Sequence, residues 1–133
     1  MPPSVKALGR RDDVARLLTA GDIIVSPSAF GEGFPNALAE GMSCGLVPIA
    51  TDVGDSRLIV GDTGAVVPRR DPASLAAGLR TLLSWPDRKL HDAGLAARKR
   101  IVGQFTIGTA VNRFEELYRI GKPPSDVPAV AIG

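Results

Sequence analysis

Short apolar runs alternate with segments of helical character along the first half of the chain. The runs VKAL, DIIVSPS, LVPIAT and GAVVP begin at residues 5, 22, 46 and 64. They are continuously apolar and do not alternate with polar residues, as is typical of strands that helices cover on both faces. The pattern therefore predicts an α/β fold: a three-layer, Rossmann-like parallel sheet with helices on both faces.

The second half of the chain has the periodicity of helices. We predict helices over residues 72–84, 87–104 and 107–119, the first of them preceded by an Asp71 N-cap. Gly21 and Gly45 are placed as left-handed caps at the ends of two earlier helices. The predicted apolar faces contain Leu75, Leu79, Leu82 and Leu83 in the first helix and Val111, Phe114 and Tyr118 in the last. Residues 1–121 form the predicted domain, and residues 122–133 a flexible tail.

Composition narrows the classes of function. The chain has 133 residues, 44% of them hydrophobic, and its one cysteine cannot form an internal disulfide, which favours a reducing, cytoplasmic setting. No cluster of His or Cys predicts a metal site, and no apolar run approaches the roughly 20 residues of a membrane span. The net charge is +2, and the basic residues 98–100 have no interleaved aromatics. We expect no nucleic acid and at most peripheral membrane contact.

The densest concentration of chemistry lies in residues 26–45, SPSAFGEGFPNALAEGMSCG. This loop leaves the carboxyl end of a predicted strand, where open parallel sheets bind ligands. Gly31 and Gly33 allow a close approach of the backbone. Pro35 suits the first position of a helix, so the next N–H groups, those of residues 36–38, are predicted to be free and to form an anion site.

Two carboxylates, Glu32 and Glu40, flank that predicted anion site. A carboxylate accepts hydrogen bonds and repels phosphate, so its suitable partners beside a diphosphate are sugar or ribose hydroxyls. From these residues alone, an ordinary loop role for Glu32 and a solvated helix role for Glu40 remain equally open. The loop after LVPIA, with Thr51, Asp52 and Gly54, is a further candidate pocket lining, with loop capping as the alternative for Asp52.

Several blocks of the sequence together resemble a known family. LGRRDDVARLLTAGDIIVSPS, EGFPNALAEGMSCGLVPIATDVG and GDTGAVVPRRDPASLAAGLRTLL resemble the second half of the C-terminal, donor-binding domain of retaining GT-B glycosyltransferases of the family 4 type. The resemblance covers about residues 5–120. Its hallmark is a pair of glutamates separated by seven residues, matched by Glu32 and Glu40.

The resemblance implies a role for each matching residue. Glu32 would be the catalytic glutamate that holds a hydroxyl of the donor sugar, and Glu40 would bind the ribose. The other implied donor-binding residues are Gly33 and Phe34 at the sugar and Asn36, Ala37 and Leu38 at the diphosphate. The implied reaction moves a hexose from a UDP- or GDP-sugar to an acceptor hydroxyl with retention, in polysaccharide or glycolipid synthesis, without a metal or other cofactor.

The chain also departs from the family pattern. Two strands that carry a glycine-rich turn and a basic pair are expected before VKAL, and the N-terminal domain is missing. VKAL is therefore predicted either to pair with DIIVS or to leave a sheet edge open for self-association, with the N-terminal domain or a partner chain required for activity. The chain alone is predicted to be inactive. A non-catalytic or partner-dependent sugar-nucleotide-binding module and a relative of sugar-nucleotide epimerases remain as alternatives.

Overall fold

The computed structural model describes residues 4–120, which form three parallel strands and six helices. The strands lie in the order β1-β2-β3, with Ile23 opposite Val47 and Ile49 opposite Ala65. Their bounds are Ile23–Ser26 (β1), Val47–Thr51 (β2) and Ala65–Val67 (β3). The helices are Val14–Leu18 (α1), Asn36–Ser43 (α2), Ser56–Val60 (α3), Pro72–Leu83 (α4), Asp87–Gln104 (α5) and Ile107–Ile120 (α6). The predicted α/β class with a parallel sheet is confirmed.

Helices cover both faces of the sheet, which creates two clusters of buried side chains. On one face, α2, α3 and the second half of α5 bury a cluster around Leu38, Met42 and Ile59. On the other face, α4 packs Leu82 against Val47 and Ile49, which lie in the fully buried β2. This arrangement explains why the first four residues of β2 are apolar, since neither face of the strand contacts water.

The predicted strand at VKAL is wrong. Residues 5–8 are not assigned to a strand, and both Val5 and Leu8 are exposed. A four-residue run that pairs with no neighbour has nothing to satisfy its backbone hydrogen bonds as a strand. Strand β1 is therefore an edge strand of the described sheet, and its Val25 side chain is exposed.

The helix ends follow the predicted chemistry in two cases and depart from it in a third. Gly45 has φ +89° and donates to Met42 O, while Leu46 donates to Gly41 O, which is the Schellman pattern. Asp71 accepts a hydrogen bond from the Ser74 amide at 3.0 Å and caps α4. Gly21 is not left-handed, so that prediction is wrong; α1 ends three residues earlier, at Leu18.

The helices of the second half lie close to where they are predicted, but their apolar faces are less buried. On α4, Leu82 is 2% exposed whereas Leu83 is 66% exposed, because the sheet covers only a narrow side of the helix. On α6, the predicted face of Val111, Phe114 and Tyr118 is exposed throughout. Within residues 4–120 no helix has both the length and the apolar character needed to cross a bilayer. The predicted tail lies outside the described residues.

Candidate functional site

The predicted site lies where the parallel strands end, which we call the carboxyl edge. Residues 27–35, here named the site loop, leave β1 at this edge and lead into α2. Within the site loop, the Ser28 hydroxyl donates to Glu32 Oε1 at 2.7 Å and holds this half-buried carboxylate. The buried Thr51 hydroxyl donates to Ser28 O at 2.5 Å. Thr51 therefore anchors the site loop to the end of β2 and does not offer its hydroxyl to a ligand.

A second loop, at the end of β2, supports the middle of the site loop. The amide of Asp55 donates to Gly33 O at 2.9 Å. Gly54 has φ +54°, and a Cβ at this position would overlap the carbonyl oxygens of Glu32 and Gly33. Only glycine meets both the left-handed conformation and the lack of space. Gly54 thus shapes the backbone that carries Glu32, which the sequence indicated only as a general pocket lining.

The start of α2 offers two unpaired amides. Pro35, with φ −73° and ψ 88°, is the N-cap and not the first helical residue. Leu38 donates its N–H to Pro35 O at 3.1 Å, so the prediction of a free Leu38 amide is wrong. Among the described residues, the amides of Asn36 and Ala37 have no backbone or side-chain acceptor. They remain at the positive end of the helix dipole, where an anion is favoured.

Glu40 lies four residues into α2 and is exposed. A helix rises 1.5 Å per residue, so its backbone is about 6 Å along the axis from Asn36. Glu32 precedes the helix and Glu40 follows its first turn, so the two carboxylates lie on opposite sides of the free amides along the chain. Along the chain, one hydrogen-bond acceptor therefore precedes the two free amides and another follows them.

Aromatic contacts hold two parts of the site loop, and sequence reasoning missed them. The Phe34 ring lies 5.8 Å from the Phe105 ring, at the end of α5, and the Arg100 guanidinium lies 5.9 Å from the same Phe105 ring. Within the first half of the site loop, the Arg70 guanidinium lies 5.9 Å from the Phe30 ring. Because these partners come from distant parts of the chain, no local motif signals them.

Other polar groups near the carboxyl edge have structural partners. Asp52 pairs with the Arg57 guanidinium at 2.6 Å, and this hydrogen bond raises the pKa of Arg57. Asp52 thus forms an exposed ion pair, and among the described residues its carboxylate accepts no backbone N–H that would make it a loop cap. In the described part of the chain, no three histidine, cysteine or carboxylate side chains are grouped so as to hold a metal ion.

A cavity of about 420 Å³ opens at the opposite edge of the sheet. Its lining includes Asp22, Cys44, His91 and Arg98. These residues lie before β1, after α2 and along α5, so the cavity is separate from the site loop. Cys44 is a half-buried free thiol there, whose Sγ lies 3.9 Å from Ala15 O.

Comparison with known proteins decides the family. The family model described as "Glycosyl transferases group 1" matches residues 1–84, which include the whole site loop and α2. The chain belongs to this family. Among curated proteins, this glycosyltransferase chain is 34% identical to the N-acetyl-alpha-D-glucosaminyl L-malate synthase of Bacillus anthracis over 84% of its length. It is 30% identical to the UDP-Gal:alpha-D-GlcNAc-diphosphoundecaprenol alpha-1,3-galactosyltransferase of Escherichia coli over 84%.

Solved structures show the same fold. The sucrose-phosphate synthase of Thermosynechococcus elongatus matches 77% of the chain with 30% identity and a TM-score of 0.68, and the chain covers 26% of it. A glycosyltransferase from Rickettsia africae matches 88% with 22% identity and a TM-score of 0.76, and the chain covers 32% of it. These neighbours place the fold among the GT-B glycosyltransferases. The chain spans 29% and 28% of the two curated relatives named above.

Proposed function

We propose that this chain is the donor-binding part of a retaining glycosyltransferase, which moves a hexose from a UDP- or GDP-sugar to an acceptor hydroxyl. The observation that carries the proposal is the pair of free amides of Asn36 and Ala37 at the carboxyl edge, which lie between Glu32 and Glu40 along the chain. A diphosphate at these amides would be stabilised by the helix dipole. Hydroxyl groups on both sides of the diphosphate would then meet Glu32 and Glu40.

The chemistry follows from where charge develops. As the bond to the sugar breaks, negative charge grows on the diphosphate, and fixed N–H groups stabilise that charge without reorganisation. Glu32 accepts the Ser28 hydrogen bond at Oε1, and its Oε2 has no hydrogen bond from the described residues. That oxygen is free to accept a donor-sugar hydroxyl and to orient the sugar. In this proposal Gly33 and Phe34 line the sugar, Leu38 supports the diphosphate end, and no metal or other cofactor takes part.

The names of relatives support an acceptor in polysaccharide or glycolipid synthesis. One relative is named as a phosphatidyl-myo-inositol mannosyltransferase, from Mycobacterium leprae, with 34% identity and 31% of its length covered. The Escherichia coli relative is named for a substrate with a diphosphoundecaprenol group.

The free thiol of Cys44 fits a reducing, cytoplasmic setting for the reaction.

Calorimetric titration of the chain with UDP, GDP and their hexose conjugates tests this proposal. If Glu40 holds the ribose, Glu40→Ala removes a hydrogen bond to a charged group and weakens binding by about 1–3 kcal/mol, or roughly 5- to 150-fold. Glu116→Ala is the matched control, since Glu116 is an exposed helix glutamate on α6. Equal affinities of the Glu40→Ala variant and the unchanged chain would exclude the proposed ribose contact.

A partner-dependent binding module is the second candidate, and the open edge of β1 and the exposed face of α6 favour it. Both surfaces resemble parts of a larger protein that lack their neighbours. In this case the chain binds the nucleotide sugar but transfers no sugar until an N-terminal domain or a partner chain is added. Sugar transfer by the purified chain alone would contradict this candidate.

A further inference from the structure

Arg70 has an unusual backbone conformation beside the site loop. Among residues 4–120 it is the one non-glycine residue with positive φ, at 58°. It lies in the turn from β3 to α4, directly before the N-cap Asp71 and the first helical residue, Pro72. Glycine adopts this conformation without the steric penalty that a Cβ brings. An arginine at this position therefore has a conformational cost that interactions elsewhere in the folded chain must offset.

The side chain of Arg70 reaches across the carboxyl edge. Its guanidinium lies 5.9 Å from the ring of Phe30, which belongs to the site loop and is 72% exposed. Strand β2 separates β1 from β3, so the strands that precede the two residues are about 9–10 Å apart. The contact is a cation–π pair between two loops that are not neighbours in the sheet.

This contact acts on a part of the site loop that has few other supports. Further along, Gly33 O accepts the Asp55 amide and Phe34 packs on Phe105. The Ser28 hydroxyl joins the two ends of the bend by its hydrogen bond to Glu32 Oε1, but at the tip of the bend Gly31 is left-handed and a Cβ there would meet no atom within 4 Å. The Phe30 contact with Arg70 therefore restrains the open bend directly before Glu32.

We propose that Arg70 is a positioning residue: its cation–π contact with Phe30, here called the clasp, holds the site loop across the carboxyl edge. The clasp fixes the backbone that presents Glu32 and leads into the free amides of α2. The benefit of the clasp for ligand binding rests on the proposed function. A nucleotide sugar can contact the Glu32 carboxylate and the free amides of α2 at the same time only when the site loop is ordered. Arg70 acts through Phe30 and not by contact with the diphosphate.

The test uses Arg70→Gly, Phe30→Leu and the double variant, with Arg69→Ala as the control that removes a neighbouring charge. Amide ¹⁵N relaxation reports the order of residues 29–33 in the free chain, and titration with UDP and GDP reports affinity. We expect the order parameters of residues 29–31 to fall toward about 0.6 in all three clasp variants, whereas Gly33, whose carbonyl oxygen accepts the Asp55 amide, keeps its order. Each single variant should bind about 2- to 5-fold more weakly, and the double variant no more weakly than either single one.

The outcomes separate the clasp from the proposed function. Unchanged loop order in Arg70→Gly and Phe30→Leu would overturn the clasp, even where nucleotide binding is normal. Weaker binding in Arg70→Gly but not in Phe30→Leu would show direct anion contact by Arg70, which also overturns it. Loss of loop order in both variants, in a chain that binds neither nucleotide, would support the clasp and contradict the proposed function. Loss of loop order in Arg69→Ala would overturn the clasp by showing that charge alone orders the loop.

Discussion

Replacing Gly54 with alanine is expected to disrupt the support beneath the site loop. Gly54 has φ +54°, and the added Cβ would overlap the carbonyl oxygens of Glu32 and Gly33. These oxygens belong to the backbone and cannot rotate away as a side chain would. The substitution must therefore shift either the site loop or the loop that follows β2.

The magnitude follows from three contributions to the free energy of unfolding. The left-handed conformation costs an L-residue about 1–2 kcal/mol, and overlap in a packed region costs about 1–3 kcal/mol. The smaller conformational entropy of alanine in the unfolded chain recovers about 0.4–1 kcal/mol. We expect Gly54→Ala to lower the free energy of unfolding by about 3 kcal/mol.

Two other glycines provide matched controls. Gly31 also has positive φ, at 82°, but a Cβ there meets nothing within 4 Å, so Gly31→Ala reports the conformational cost alone, about 1 kcal/mol. Gly103 lies in α5 with open space around it, and Gly103→Ala should be neutral or stabilise the chain by up to about 1 kcal/mol. The comparison isolates the overlap at Gly54.

Urea denaturation followed by Trp85 fluorescence measures all three variants. Trp85 is the single tryptophan of the chain and packs against the buried cluster between β2 and α4, so its emission reports loss of the core. Free energies of unfolding that agree within about 0.5 kcal/mol for Gly54→Ala and Gly31→Ala would refute the inferred overlap at Gly54.

Two further predictions concern stability away from the site loop. Leu38→Ala should lower the free energy of unfolding by about 2–5 kcal/mol, because removal of this fully buried side chain leaves a cavity. Leu83→Ala, at an exposed position of α4, should change the urea midpoint little. Similar losses for the two variants would contradict the two core clusters. Asp71→Ala should lower the urea midpoint at pH 7, because the Ser74 hydroxyl and then the Ser74 amide lower the pKa of Asp71. A lowered pKa gives stability that is present above the unfolded value of about 3.9 and is lost as pH falls through the folded value. The difference in urea midpoint between the unchanged chain and Asp71→Ala should therefore shrink below about pH 4. A constant difference from pH 2 to 7 would contradict the cap.

The elements that depend on local chemistry could be predicted from the sequence. The β2 strand is buried at all five positions and apolar at the first four, and α5 begins and ends at the predicted residues, between Pro86 and Phe105. The Schellman end of α2 likewise needs only Gly45 and the residues beside it. In each case the signal lies within a few residues of the element.

Features that depend on distant partners could not be predicted in the same way. VKAL has the composition of a strand, but no described strand pairs with it. Leu83 follows the helical stripe of α4, yet it is exposed in the structure. At the candidate site, the position of the glutamates and of the α2 start was predictable from local sequence, whereas the contacts of Phe30 and Phe34 with Arg70 and Phe105 come from tertiary packing alone.

The central claim is that the amides at the start of α2 bind the diphosphate of a nucleotide. The most direct measurement is amide chemical-shift mapping by NMR during titration of the chain with UDP and with GDP. We predict the largest shifts at Gly33, Asn36 and Ala37, with small shifts at Cys44 and Gly45 on the opposite edge of the sheet. No shift at residues 33–37, or the largest shifts around Cys44 and Gly45, would contradict the account.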